Sequence, residues 1–289
     1  MRKSSLSGLF VCVVVFSAGC SDGDSASIDG NPFGPGGNGR AGGNGAPIDI
    51  GGDGGGSGGL DGNGCGPNLT GLVRDFRAAG ERNGHPDFEA FSGSRASTGI
   101  VQDELGADRK PVYRGSGPIT TSEGQQTTSK ARFDEWYRNT DGVNEAVEFR
   151  LTFVEGSNGV ATYENREFFP IDGKGFGNYQ PYQNGAHNYH FTFELHTEFK
   201  YNGGETFRFL GDDDLWVFIN GKLAIDLGGL HSELSAEVRL DEIAREHGLV
   251  KGQKYPLDLF HAERHTQHSR FRVDSTIEFT NCNPIIIPK

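Results

Sequence analysis

Basic residues are scarce in this sequence relative to acidic ones. Its 27 Lys and Arg residues are outnumbered by 39 Asp and Glu residues, which gives a formal net charge of −12 at pH 7. A protein that binds nucleic-acid phosphates needs a basic surface, so we expect no nucleic-acid partner. Long apolar runs are also missing. The apolar run at residues 9–16 is far shorter than the about 20 residues of a membrane-spanning helix.

Motifs for covalent and nucleotide chemistry are absent as well. The sequence has no GxSxG nucleophile motif, no P-loop and no dinucleotide-binding fingerprint. His261 and His265 belong to the order His-Ala-Glu-Arg-His, which is not HExxH, and a strand-like run precedes them instead of a helix. A structural salt bridge is the expected role of Glu263 and Arg264. The sequence therefore predicts a protein that is not an enzyme, and a carboxylate pair acting on a polysaccharide is the enzymatic alternative.

Cysteine is used at only four positions. Cys12 and Cys20 belong to the N-terminal region, whereas Cys65 and Cys282 stand at the two ends of the remaining chain. In an oxidising compartment this placement predicts a disulfide that joins the ends of the folded part. The alternative is two free or metal-binding thiols, but their spacing is unlike that of a zinc knuckle.

The N-terminus has the pattern of a secretory signal peptide over residues 1–19. Arg2 and Lys3 precede the apolar run, and small residues follow it at positions 17–19. Ser-Ala-Gly-Cys resembles the bacterial lipobox, which implies lipidation of Cys20, although Ser17 replaces the usual large aliphatic residue. The alternatives are ordinary signal cleavage and a Cys20 that merely ends the apolar run. The serine after Cys20 resembles an outer-membrane signal, so we expect an outer membrane lipoprotein that contacts the membrane only through its lipid anchor.

Residues 20–64 form a glycine-rich segment with almost no aromatic or branched apolar side chains. Such a composition cannot bury enough apolar surface to offset the entropy lost on ordering. A flexible tether of this length has a root-mean-square span of roughly 35–40 Å. Residues 65–289 are then long enough for one large β-domain.

Alternating hydrophobicity in this last region predicts β-strands. Residues 189–195 alternate, with Tyr189, Phe191 and Phe193 expected to face inward and the residues between them outward. Residues 271–279 alternate in the same way. The run at 215–219 is apolar throughout, which is typical of a buried strand, and the run at 205–210 also reads as a strand.

Turn and cap signals complete the fold prediction. Asn220-Gly221 between two strand-like runs predicts a hairpin. One short helix is indicated, with Asp241 as its N-cap and Gly248 at its end. Together with the frequent turn residues, these patterns predict an all-β sandwich with one short helix.

Three adjacent aspartates, Asp212, Asp213 and Asp214, follow the predicted strand at 205–210. Like charges repel, and Asp is disfavoured in strands, so a hard cation such as calcium is a candidate partner. In a regular strand Asp212 and Asp214 would share one side. Two adjacent aspartates would converge on one ion only at a sharp turn, such as a cis peptide. An exposed acidic turn capped by Gly211 is the alternative.

The segment around the triplet resembles a known family. Residues 211–231, GDDDLWVFINGKLAIDLGGLH, resemble the core motif of the PA14 domain, and more closely its fibro-slime variant. Further segments resemble fibro-slime sequences in the same order: GLVRDF (71–76), HPDF (85–88), FDEWY (133–137), FFPIDGKGFGN (168–178), HNYHFTFELHTEF (187–199), GLVKGQKYPLDLFHAERH (248–265) and SRFRVDSTIEF (269–279). The resemblance implies a PA14-like β-sandwich over residues 65–289.

The resemblance also implies a binding site. In sugar-binding members, two adjacent aspartates joined by a cis peptide hold calcium, which coordinates sugar hydroxyls, and a second loop adds a ligand. Alignment on Asn220-Gly221 places this pair at Asp212 and Asp213, with Asp213 and Asp214 as the other register. No sequence feature identifies the second loop here.

Two further residues are candidates for ligand binding. Trp216 could stack on a sugar ring, and His231 could line the loop beside the triplet. Core packing is the alternative for Trp216, and packing or hydrogen bonding for His231. The resulting hypothesis is a surface-tethered, calcium-dependent module that binds a polysaccharide or glycan. A structural matrix or envelope protein, in which calcium stiffens a loop, is the alternative.

Overall fold

A computed structural model of the chain describes residues 66–180, 186–266 and 268–281. Within these ranges the protein contains fourteen strands and two short helices, so the predicted all-β class is confirmed. Neither of these helices is long and apolar enough to cross a membrane. The signal peptide, the lipidation of Cys20, the tether and the disulfide between Cys65 and Cys282 all concern positions outside the described residues.

The larger sheet has seven antiparallel strands. They are β1 (Asn68–Phe76), β4 (Asn144–Thr152), β7 (Phe191–Lys200), β9 (Asp214–Ile219), β10 (Lys222–Leu227), β12 (Lys254–Glu263) and β14 (Glu278–Asn281). Their order across the sheet is β10-β9-β12-β7-β1-β4, and β14 pairs with the C-terminal end of β7. Strands β7 and β12, which are paired over ten residues, therefore occupy the middle of the sheet.

The second sheet has five strands. They are β5 (Val154–Glu155), β6 (Ala161–Asn165), β8 (Thr206–Gly211), β11 (Leu234–Arg239) and β13 (Phe271–Ser275), in the order β11-β8-β13-β6-β5. A separate two-stranded sheet consists of β2 (Ile119–Thr121) and β3 (Gly124–Thr127). Because β8 belongs to one large sheet and β9 to the other, the acidic triplet lies where the chain changes sheets.

Aromatic side chains fill the space between the two large sheets. Phe193 of the larger sheet meets Phe271 of the smaller one edge to face, with ring centroids 5.8 Å apart. Phe271 also packs on Phe209 at 5.2 Å, and all three rings are fully buried or nearly so. Such aromatic packing buries much apolar surface and confirms the predicted β-sandwich.

The outer face of the larger sheet is also covered. Segment 77–140 packs a second apolar cluster on it, in which Phe88, Phe133 and Trp136 from the segment contact Trp216 and Phe260 from the sheet. This cover corrects one prediction. The residues alternating with Phe191 and Phe193 were expected to face solvent, but His190, Thr192, Glu194 and His196 are buried. Alternation shows two different faces of a strand, and it does not show that the more polar face is exposed.

The predicted strand at residues 271–279 is two strands. Strand β13 ends at Ser275 in the smaller sheet, and β14 begins at Glu278 in the larger one. Between them, Thr276 donates its backbone N–H to the carbonyl of Thr206 at 3.1 Å, and Ile277 donates to the Ser275 hydroxyl at 3.1 Å. The alternation continues across this crossover, so the period alone could not reveal the break.

The predicted hairpin is confirmed. Strands β9 and β10 pair directly across Asn220 and Gly221, whose φ angles are 52° and 76°. Two positive φ angles in succession are the geometry that the Asn-Gly pair favours in tight hairpins.

The predicted helix is α2 (Leu240–His247), and it ends at Gly248 in the left-handed conformation with φ 68°. Its N-cap is Arg239, which makes no side-chain cap hydrogen bond, so the prediction that Asp241 is the cap was wrong. Asp241 lies inside the first turn. Its carboxylate accepts hydrogen bonds from the Tyr201 hydroxyl at 2.6 Å and the Gly204 N–H at 3.0 Å.

A second helix, α1 (Lys130–Asp134), was not predicted. Ser129 caps it by accepting a hydrogen bond from the Arg132 N–H at 3.3 Å, and Phe133 faces the outer apolar cluster. With five residues, α1 is too short to show a helical period in the sequence.

Candidate functional site

The acidic triplet spans the crossover from β8 to β9. Asp212 and Asp213 form the connection and are joined by a cis peptide bond, as the resemblance implies, while Asp214 is the first residue of β9. All three side chains are buried, Asp214 completely. The triplet is therefore not the exposed acidic turn that was the alternative prediction.

Asp214 differs from the other two in its partners. Its Oδ2 accepts a hydrogen bond from Arg264 Nε at 2.6 Å, and its Oδ1 accepts one from the Gly229 N–H at 2.5 Å. The charge of Asp214 is thus balanced inside the fold, and the residue does not line the nearby pocket. These contacts favour a structural role for Asp214 over the metal-binding role predicted for it.

Asp212 and Asp213 line an open pocket of about 290 Å³. Its other walls come from three places in the sequence: residues 92–93, residues 230–233 and the loop that follows β12. From that loop the lining residues are His265, Thr266, His268 and Arg270. No sequence signal pointed to this loop, which is brought to the aspartates because β12 and β13 flank the crossover in the two sheets.

Backbone N–H groups fix the two pocket carboxylates. Arg270 donates to Asp212 Oδ1 at 2.6 Å, and Asp213 accepts from the N–H of His231 and the N–H of Arg264, both at 3.2 Å. Within the described part of the chain, Asp212 Oδ2 receives no hydrogen bond. The pair is therefore held in place by neutral donors, which leave its negative charge uncompensated.

His261 holds the backbone of the pair. Its Nε2 lies 2.8 Å from the Asp212 carbonyl oxygen, and the ring is fully buried on β12. Burial lowers the pKa of His261 to about 4, so the ring is neutral at pH 7 and its Nε2–H donates to that carbonyl. This hydrogen bond fixes the backbone of the crossover. His261 also lies on a strand, whereas a zinc-protease motif needs its histidines on a helix.

Burial raises the pKa of both pocket aspartates. The pKa of Asp213 rises to about 6, because burial and the neighbouring carboxylates outweigh His231 and Arg264. Burial raises the pKa of Asp212 in the same direction. A cation in the pocket would favour the charged forms and reverse this shift.

The donor set fits a hard cation. Calcium prefers carboxylate and other oxygen ligands and takes six to eight of them. Among the described residues no cluster of three or more His, Cys, Asp or Glu side chains has metal-binding geometry. Asp212 and Asp213 are the carboxylates that line the pocket and could hold an ion there, whose other positions would need carbonyl oxygens, water or a ligand's hydroxyls.

Glu263 is a buried carboxyl behind the pair. Burial, with Asp213 and Asp212 nearby, raises its pKa well above the usual value. The salt bridge predicted for Glu263 and Arg264 is formed by Arg264 alone, with Asp214 as its partner.

The two predicted ligand-binding residues have different positions. His231 lines the pocket, and its ring nitrogens face the carbonyl oxygens of Ser232 at 2.9 Å and Leu227 at 3.1 Å. Trp216 is fully buried in the outer apolar cluster, where its Nε1–H donates to Asp226 at 2.9 Å. Trp216 thus has the core packing that was the alternative to sugar stacking, because segment 77–140 covers it.

Comparison with known proteins places this site in a family. Residues 156–285 match the PA14 domain. Protein psiD of Dictyostelium discoideum is 41% identical over 187 residues, which cover 63% of this chain and 36% of psiD. The chain thus spans only about a third of the length of this curated relative.

Two solved structures are also similar. The PA14 sugar-binding domain of an RTX adhesin has a TM-score of 0.29 and 9% identity, covering 73% of this chain and 96% of that domain. The Epithelial Adhesin 9 A domain of Candida glabrata, solved with Galb1-4GlcNAc, has a TM-score of 0.30 and 14% identity, covering 76% and 94%. By the sequence match, residues 156–285 are a PA14 domain, as the motif at residues 211–231 predicts.

Proposed function

We propose that this protein is a calcium-dependent carbohydrate-binding or adhesion module. The observation that carries the proposal is the division of the acidic triplet. Arg264 neutralises Asp214, whereas Asp212 and Asp213 face a pocket of about 290 Å³, and no basic side chain among the described residues is hydrogen-bonded to them. Two buried carboxylates with uncompensated charge are costly without a cation, so a divalent ion is the partner that this geometry favours.

Sugar binding follows from the coordination chemistry. The two aspartates alone supply fewer oxygens than calcium takes, and an open pocket admits a ligand to the remaining positions. Paired hydroxyls of a sugar ring are neutral oxygen ligands that fit such positions. A polysaccharide or glycan is therefore the proposed ligand, as the resemblance to sugar-binding PA14 members also implies.

The N-terminal region defines the proposed location. A signal peptide at residues 1–19, lipidation at Cys20 and a tether at 20–64 would place the domain outside the cytoplasm, held clear of an outer membrane. This part of the proposal depends on the sequence alone. It is tested by metabolic labelling with a palmitate analogue, where Cys20→Ala should lose the label and release the protein from the membrane fraction.

Calcium binding by calorimetry on the full chain tests the site. We expect one calcium ion per chain, lost in Asp212→Asn/Asp213→Asn and retained in Asp141→Asn, which removes an exposed carboxylate far from the pocket in sequence. Glycan-array binding should then appear with calcium and disappear with a chelator. No calcium bound by the wild type would contradict the proposal.

Two other functions are outcomes of the same experiments. If calcium raises the melting temperature while the glycan array stays silent, the structural matrix or envelope role is supported. A binding domain without turnover is what membership in the PA14 family indicates. Steady release of reducing ends from a polysaccharide, abolished by changing one carboxylate, would instead establish an enzyme.

A further inference from the structure

Glu89 lies outside the pocket but contacts the loop that forms one of its walls. The residue follows the segment HPDF and has a positive φ of 55°. Its backbone N–H donates to the Arg264 carbonyl at 2.7 Å. Its Oε2 accepts from the Thr266 N–H at 3.0 Å, and its Oε1 accepts from the Thr266 hydroxyl at 2.9 Å. One residue of segment 77–140 thus makes three hydrogen bonds to residues 264–266.

The same three residues face the pocket from their other side. His265 and Thr266 line it, and the Arg264 N–H donates to Asp213 Oδ2 at 3.2 Å. The segment is therefore held between two carboxylates, Asp213 within the pocket and Glu89 behind it. Loss of the Glu89 carboxylate would leave residues 264–266 attached to the aspartate pair through the Arg264 N–H, with Thr266 released.

Two histidines complete the surroundings of Glu89. His190 Nε2 lies 3.0 Å from Oε2, and His265 Nε2 lies 3.6 Å from Oε1. Burial raises the pKa of Glu89, but the hydrogen bonds from His190 and Thr266 and the nearby His265 outweigh it, so the pKa is lowered overall. An ionised carboxylate makes shorter and stronger hydrogen bonds than a neutral acceptor. It therefore holds the Thr266 donors more firmly in place.

We propose that Glu89 is a positioning residue for the ligand pocket, which holds His265 and Thr266 where they face the bound sugar. The inference rests on the proposed function for its ligand. Calcium binding does not depend on Glu89, because Asp212 and Asp213 retain the N–H donors of Arg270 and His231 without it. Removing Glu89 therefore weakens glycan binding and leaves calcium binding in place.

The experiment separates these two affinities in the full chain. Glu89→Ala should reduce affinity for a glycan identified on the array by about tenfold or more, since bonds to a charged group are lost. The calcium dissociation constant should stay within about twofold of the wild-type value. Glu89→Gln keeps the shape of the side chain and one acceptor oxygen, so its glycan affinity should lie between those of the wild type and Glu89→Ala. Glu155→Gln, an exposed carboxylate on β5, is the matched control.

Hydrogen–deuterium exchange makes the test independent of any glycan. In Glu89→Ala the amides of residues 264–266 should exchange faster, while those of β8 and β9 keep wild-type protection. If the wild type binds no glycan, the proposed function fails and the exchange result still decides whether Glu89 positions the wall. Unchanged exchange at residues 264–266, or a parallel loss of calcium binding and melting temperature, would overturn the inference.

Discussion

Arg264 donates from Nε to Asp214 Oδ2 across 2.6 Å, and neither side chain has any exposed surface. The guanidinium also donates from Nη1 to the Gln126 carbonyl at 2.7 Å and stacks over Trp136, 4.8 Å from the ring centroid. This one residue connects the triplet to segment 77–140. It also explains how three adjacent aspartates coexist, because one of them is neutralised apart from the other two.

Breaking this pair should be costly. Arg264→Met leaves the Asp214 charge buried without a counter-charge, so we expect the free energy of unfolding to fall by about 3–5 kcal/mol. Urea unfolding at pH 7 measures it. Glu237→Gln, which removes the exposed partner of Arg239, is the control and should cost under about 1 kcal/mol. Similar losses in both variants would contradict the role assigned to Arg264.

A second buried ionic cluster predicts a pH dependence. Glu194 accepts from Arg74 Nη2 at 3.1 Å and from Lys110 Nζ at 2.5 Å. Burial alone raises the pKa of Glu194, but His196, Arg74 and Lys110 lower it to about 2. Because the folded-state pKa lies below the usual 4.5, the stabilisation is present above about pH 4.5 and is lost as pH falls toward 2.

Glu194→Gln tests this sign. At pH 7 the variant should be less stable by about 3–5 kcal/mol, since two buried cations lose their counter-charge. The difference from wild type should shrink as pH falls from 4.5 toward 2, when the wild-type carboxylate also becomes neutral. Urea unfolding at a series of pH values measures it. A difference that does not change with pH would show that charge is not what Glu194 contributes.

The sequence predicted the parts of the fold that depend on local pattern. Asn220-Gly221 identified its hairpin because that turn needs residues that tolerate positive φ, and Gly248 identified a helix end for the same reason. The burial of Glu194 and His196, whose side of β7 was expected to face solvent, was not predictable in this way. Both depend on segment 77–140 folding back over the sheet, and its few regular elements leave no period to detect.

The site was predicted to a similar extent. The repulsion among three aspartates indicated a cation site, and alignment gave both possible registers. The choice that we propose between them depends on Arg264, which lies 50 positions away in the sequence and reaches Asp214 through the pairing of β9 with β12. The loop residues that line the pocket were missed for the same reason, because only the fold brings them beside the aspartates. They are His265, Thr266, His268 and Arg270.

Gly93 should be intolerant of a side chain. A Cβ at this position would lie 2.1 Å from the Leu230 carbonyl oxygen. That carbonyl belongs to the same peptide group as the His231 N–H, which donates to Asp213. Gly93→Ala should therefore displace this peptide, lower stability by about 1–3 kcal/mol and weaken glycan binding.

Gly117→Ala is the control for this substitution, because a Cβ there meets no atom within 4 Å. Differential scanning calorimetry and glycan calorimetry on both variants measure the effects. Wild-type affinity in Gly93→Ala would show that the peptide between Leu230 and His231 can move without affecting the pocket.

Substitution of Trp216 distinguishes a structural role for its indole ring from a sugar-stacking role. Its Nε1–H donates to Asp226 Oδ1, and Trp136 makes the equivalent bond to Asp87 Oδ2 at 3.2 Å. Both rings are fully buried and neither lines the pocket. Trp216→Phe and Trp136→Phe should each cost about 1–3 kcal/mol, because a buried carboxylate oxygen loses a donor.

Glycan affinity should be unchanged in both variants once each is measured well below its melting temperature. The emission of the two tryptophans should likewise show no shift when the glycan is added to the wild type. A loss of affinity in Trp216→Phe alone, without a matching loss of stability, would restore the stacking role and would require segment 77–140 to move away from the sheet when ligand binds.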